Sequence, residues 1–173
     1  MERRSFRERR KPDTIPLMRG VTLILCIMTV GGLMACHHRS HHEPGEVTVD
    51  VDATSDWVHT GVRVSEGQTL FFRCSGSWAV APANERERWP DAGPDGHGNH
   101  PGERVHSKGD PRKELPGTPF GTLLGKVNGR VFPIGSQGSV IMPAAGILYL
   151  VINDYPFYRH DNRGRLQVSI ARE

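Results

Sequence analysis

A chain of 173 residues with 36% hydrophobic content can bury one modest core, and the 20 glycines and 13 prolines favour a turn-rich β protein over a helical bundle. The net charge of +3 is unevenly placed: seven of the 22 basic residues and three of the 19 acidic ones precede Cys36, leaving 15 against 16 for the remainder. Nucleic-acid binding needs a basic face on the folded domain, so this near-neutral remainder argues against a nucleic-acid partner.

The basic start (Arg3, Arg4, Arg7, Arg9, Arg10, Lys11, Arg19) leads into an uncharged apolar run from Val21 to Met34. That is the order of a secretory signal, and the run is short for a spanning helix, which needs about 20 apolar residues. It ends Leu33-Met34-Ala35-Cys36, which resembles a bacterial lipobox, where a small residue precedes a cysteine that is lipidated. The expectation is a lipoprotein-type signal peptide over 1–35, with lipidation at Cys36. An uncleaved anchor would give the same topology, with the basic end held in the cytoplasm. Either way the chain is tethered to a membrane in a bacterial cell envelope. His37 rather than Asp after Cys36 favours the outer membrane.

Residues 36–46 are read as a polar tether. Its histidines (His37, His38, His41, His42) are possible transition-metal donors, although a flexible tract has no fixed geometry. Cys26 lies in the signal and Cys36 at the lipid site, so Cys74 is the lone cysteine of the exported domain and no internal disulfide is expected. Its apolar surroundings suggest a core residue.

From 47 to 173 the pattern is of short strands. Val47, Val49 and Val51 alternate with polar residues, as on a half-buried strand. Trp57–Val64 alternates again, and Thr69–Cys74 follows a Ser65-Glu66-Gly67-Gln68 turn. The segment 82–119 has little periodicity and is rich in Gly, Pro, Asp and His. A loop of that length in a compact domain is usually functional or disordered. Strands resume at Gly121–Val127, Val131–Ile134 and Ser139–Met142. Ile147–Ile152 is continuously apolar and fits a central strand, and Leu166, Val168 and Ile170 alternate in the last one. The fold class read from this is all-β, an antiparallel β-sandwich of jelly-roll or galactose-binding-like type.

The chemistry gathers between Asn153 and Gly164. Asp154, Asp161 and Asn162 offer side-chain oxygens from both ends of one loop, Pro156 stiffens its middle, and Gly164 permits a sharp exit. Calcium takes six to eight such oxygens, together with backbone carbonyls. By composition alone, these residues favour a plain hairpin loop over a metal site.

Together with Gly76-Ser77-Trp78, Pro94-Asp95-Gly96 and the apolar strand ending Asn153-Asp154, this loop resembles the PA-I type galactophilic lectins over about Val47 to Ile170. The resemblance implies calcium as cofactor. Its ligands would be the side chains of Asp154, Asp161 and Asn162, with backbone carbonyls at Tyr158 and near Ala81. It also implies that two vicinal hydroxyls of a galactose-type glycan complete the calcium shell. His100, before Pro101, falls at a sugar-contact position, and Glu103 stands where the lectins carry Gln. Asp161 replaces an Asn, and Gly102–Thr118 is longer than in the compact lectins. Trp57 and Trp78 lie in strand patterns and are expected in the core, while Trp89, in the loop before Pro90, is the candidate for stacking on sugar.

The expectation is therefore a membrane-tethered, calcium-dependent carbohydrate-binding module. The alternative is a structural envelope lipoprotein whose calcium-stabilised sandwich binds a protein partner. Catalysis is not expected: the carboxylates Asp91, Asp95, Glu103 and Asp110 crowd one loop region, but no nucleophile elbow, phosphate loop or zinc motif accompanies them.

Overall fold

The described residues form eight strands: β1 (Val47–Asp52), β2 (Val58–Val64), β3 (Thr69–Ala79), β4 (Leu123–Val127), β5 (Arg130–Pro133), β6 (Ser139–Ile141), β7 (Gly146–Ile152) and β8 (Arg163–Arg172). The computed structural model describes residues 45–81, 88–102 and 110–173. The expected signal peptide, Cys36, the histidines of the tether and Glu103 lie outside the described residues. Among the described residues, no helix is long and apolar enough to cross a membrane.

The strands form two four-stranded antiparallel sheets, in the orders β1-β8-β3-β6 and β2-β7-β4-β5. The all-β sandwich expected from the sequence is the observed architecture. Alternation decides which side chains face inward. On β3, Leu70, Phe72 and Trp78 are buried while Phe71, Arg73 and Ser75 face out. Leu166, Val168 and Ile170 of the neighbouring β8 lie beside them, and Leu148, Leu150 and Ile152 of β7 in the other sheet close the core. Burying a side chain of Leu or Phe size stabilises by about 1.5–3 kcal/mol, so this layer supplies most of the driving force.

Several boundaries differ from the pattern in the sequence. β3 runs on to Ala79 rather than stopping at Cys74, because Ser75, Gly76 and Ser77 pair with Gln167, Leu166 and Arg165 of β8. Their polar side chains are compatible with the strand because this face looks onto solvent. β1 buries only its inner end, with Val51 in the core, Val49 half-buried and Val47 exposed. Trp57, expected in the core, is only partly buried, with the Lys126 ammonium 3.9 Å from its ring centroid. Cys74 is half-buried, and burial pushes its thiol up to about 11, which leaves it a poor nucleophile.

β7 is flanked by β2 and β4 in one sheet, and β8 by β1 and β3 in the other. The connection between them, residues 153–162, therefore crosses from the centre of one sheet to the centre of the other. Gly164 makes the entry into β8 possible. Its φ is +86°, and a Cβ there would stand 2.4 Å from the Ser77 carbonyl oxygen.

Candidate functional site

Asn162 immediately precedes β8, so its side chain sits between the ends of the two flanking strands. Its Nδ2 donates to the Ala53 carbonyl just past β1 (3.2 Å), and its Oδ1 accepts from the Ala81 N–H just past β3 (3.1 Å). The same Nδ2 donates to Asp154 Oδ2 at 2.8 Å. Asp154, just past β7, also accepts the Tyr155 N–H on Oδ1 at 2.6 Å. Asp154 and Asn162 of one loop and Ala81, 81 residues before Asn162, thus meet in one hydrogen-bonded cluster.

Burial dominates the electrostatics of this cluster. Asp154 is fully buried, and burial pushes its carboxyl up to about 6; the nearby Asp161 also raises it, against hydrogen bonds from Asn162 and Tyr155 and the charge of Arg159, which lower it. Oδ1 of Asp161 is buried with no hydrogen-bond partner among the described residues. The cation closest in the chain, Arg159, is itself buried and committed elsewhere, to Asp56 at 2.8 Å and to Glu114. Buried carboxylate oxygens left in this state are costly unless a cation or a proton answers them. Among the described residues, no three His, Cys, Asp or Glu side chains are grouped so as to hold a metal ion by themselves. A cation here would be held by a mixed set of carboxylate, amide and carbonyl oxygens, the donor set of calcium.

A one-turn 3-10 helix, Arg159–Asp161, carries the chain back towards β8, and Tyr158 is the residue before it. The Tyr158 N–H donates to the Tyr155 carbonyl at 3.0 Å, which closes the turn that presents residues 156 and 157. Arg88 Nε donates to the Asp161 carbonyl at 2.7 Å, adding a tie from the segment after β3.

The sequence did not single out Asn153, yet it organises the loop that faces the site. Its Oδ1 accepts the Leu115 N–H at 3.0 Å, and its Nδ2 donates to the carbonyls of Leu115, Thr118 and Pro119 at 3.2, 2.9 and 3.0 Å. The aperiodic 110–119 stretch therefore has a defined path set by one buried amide. Asp110 adds to it by accepting from Arg112 and from the Tyr155 hydroxyl (2.8 Å); the Arg112 hydrogen bonds, first of all, hold its carboxyl well below the usual range. Of the other loop carboxylates, Asp91 pairs with Arg163 at 3.0 Å, and Asp95 accepts the Ser136 N–H at 2.7 Å.

His100 is half-buried and lies flat on Trp89, with ring centroids 4.2 Å apart and planes at 28°. Its Nδ1 accepts the Gly102 N–H at 3.2 Å, which turns the Nε2 end away from the backbone. Trp89 is only 3% exposed, so it is a core residue with one face covered by His100 rather than an open platform for sugar. Its ring continues through Phe120 (5.8 Å) and Tyr155 (5.1 Å) to Tyr158 (6.1 Å), an aromatic chain from His100 to the 153–162 loop. The Pro94-Asp95-Gly96 motif is packed hard beside this chain: Gly96 has φ +69°, and a Cβ there would lie 2.2 Å from the Phe120 carbonyl.

His97 backs the same cluster. It is 6% exposed, its Nε2 has no partner among the described residues, and burial lowers its pKa to about 4. His100 lowers it further, while Asp91 opposes the shift. On acidification the unfolded chain takes up the imidazole proton first, near the ordinary 6.5, and the folded one only near 4. The stability contributed by neutral His97 is therefore complete above pH 6.5 and lost as pH falls from 6.5 to 4. Urea midpoints across this range should fall more steeply for the native protein than for His97→Gln. Parallel curves would show that His97 does not titrate this way.

No known family model matches the chain, and no curated protein matches its sequence. Among solved structures it is similar to the N-terminal domain of EclA, described as a PllA-like lectin, at 22% identity and a TM-score of 0.54, over 73% of this chain and 96% of that one. The two chains share a fold. At this level of identity the fold is what the likeness shows, and the function of the site rests on its own residues.

Proposed function

We propose that the domain binds carbohydrate through a calcium ion held by Asp154, Asp161 and Asn162, with backbone carbonyls of Ala81 and Tyr158. The observation that carries this reading is the buried Asp154 carboxylate on the same loop as an Asp161 oxygen that has no partner among the described residues, the loop that joins the two central strands of the sandwich. The residues suit the ion. Asn162 would serve as a ligand through its Oδ1, whose second lone pair is left over after it accepts the Ala81 N–H. Bound calcium supplies a hard positive charge that accepts neutral hydroxyl oxygens as readily as water.

The protein's own residues then bind and orient the ligand. Galactose-type glycans are the proposed class, with vicinal hydroxyls at the ion. His100 offers Nε2 to a further hydroxyl, and its stacking on Trp89 fixes the ring plane. Trp89 is in this reading a support for His100. Glu103 is a proposed second contact. Lipidation at Cys36 would hold the domain on the bacterial outer membrane, displayed to external glycans.

Titration calorimetry of the full chain with methyl galactoside, in calcium and again in excess chelator, tests the proposal. Heat in calcium that vanishes with chelator supports it. Binding that survives chelation, or its absence in both conditions, would sink it. Calcium binding without sugar binding favours the alternative of a calcium-stabilised structural lipoprotein with a protein partner.

A further inference from the structure

The 153–162 loop is tied down nearly everywhere. Asp154, Tyr155, Arg159 and Asn162 are all buried, and each makes side-chain hydrogen bonds or ion pairs. Against that background Phe157 is anomalous. It is 88% exposed, and Tyr158 beside it is 46% exposed. Single exposed apolar residues are ordinary, but two adjacent rings displayed by an anchored turn form a small apolar surface. The turn is fixed by the Tyr158 N–H to Tyr155 carbonyl bond, and the Tyr158 ring is backed by Tyr155 at 6.1 Å. These rings sit on the same loop as Asp154, Asp161 and Asn162; adjacent Cα atoms are about 3.8 Å apart, so the Cα of Phe157, three residues on, lies within about 11 Å of that of Asp154.

We propose that Phe157 and Tyr158 form a stacking subsite for the second residue of a glycan whose terminal residue is held at the cation loop. This rests on the calcium-dependent glycan reading above and deepens it: the substrate class becomes extended galactosides rather than the free monosaccharide. The C–H face of a pyranose is apolar and matches the flat face of a phenyl ring, whereas its hydroxyls point outward to solvent. Phe157 has no polar atom, so it discriminates by shape and apolar contact and leaves hydroxyl recognition to the inner site. A rigid aromatic also loses little conformational freedom on contact.

The test compares methyl galactoside with a series of galactosyl disaccharides of different linkage, by calorimetry on the full chain in calcium. At least one disaccharide should bind about three- to tenfold tighter than methyl galactoside, the range of one good aromatic contact. In Phe157→Ala that ratio should fall to near one, and in Phe157→Trp it should persist. The urea midpoint of Phe157→Ala should match the native protein, since the ring is exposed. If methyl galactoside binds but no disaccharide gains, or the gain survives Phe157→Ala, the subsite is refuted while the calcium site stands. If neither sugar binds in calcium, the parent reading fails and the subsite fails with it.

Discussion

Asp154→Asn should abolish the calcium-dependent stabilisation of the domain and its sugar binding together. A ligand that binds only the folded state stabilises by about 2.7 kcal/mol at a hundred times its Kd, which is several degrees in Tm for a domain of this size. The native protein should show that rise on adding calcium, and Asp154→Asn should show none. Asp154 dominates because it is the fully buried carboxylate of the set and faces Asn162 directly. Asn is almost the same shape, so the fold survives, but it carries no charge and presents an N–H₂ where an oxygen is needed. In chelator the change should be small. Removing the carboxylate relieves the cost of a buried charge, while one of its two hydrogen bonds, from Tyr155 or from Asn162, is lost. Differential scanning calorimetry with and without calcium checks this. A full calcium shift in Asp154→Asn would place the ion elsewhere.

The second large effect is expected at Asn153. Replacing it with Ala removes one acceptor and one N–H₂ that together serve Leu115, Thr118 and Pro119. Each buried backbone group left without a partner costs about 1–3 kcal/mol, and water can re-enter at part of this partly buried cluster. A loss of about 3–5 kcal/mol follows, well above the usual effect of a point substitution. The 110–119 segment should loosen first, so amide exchange at Leu115 should accelerate in the variant even under native conditions. A loss below about 1 kcal/mol in urea unfolding would show that the segment holds itself in place without Asn153. Calcium affinity should fall as well, because Asp154 is the next residue and its carbonyl accepts the Glu114 N–H at 3.2 Å.

Much of the sandwich was legible in the chain. β7 announced itself as an unbroken apolar run because it is buried in the centre of its sheet, and β2 and β8 by alternation because one face of each meets solvent. β3 was read short for the same reason reversed. Its last turn-like residues, Ser75 to Ser77, are polar because they face outward, and only pairing with β8 marks them as strand. Asp154, Asp161 and Asn162 are singled out by the resemblance to the lectins, whereas their composition alone favours an ordinary turn. Trp89 illustrates the opposite case. Next to a proline in a polar segment it reads as an exposed ring, yet His100 and Phe120 enclose it.

The sequence by itself therefore determined the fold class, the strands with clear period-two or apolar patterns, and the loop where side-chain oxygens concentrate. These depend on residues close along the chain, where side-chain periodicity and turn chemistry act. The tertiary structure alone decided that Asn162 reaches both flanking strands and that Asn153 shapes the 110–119 loop. It also decided that Trp89 supports His100 and that Phe157 stands clear of the anchored loop. Each of those depends on contacts, or their absence, between segments tens of residues apart, and a hydrogen bond across such a distance leaves no period in the sequence.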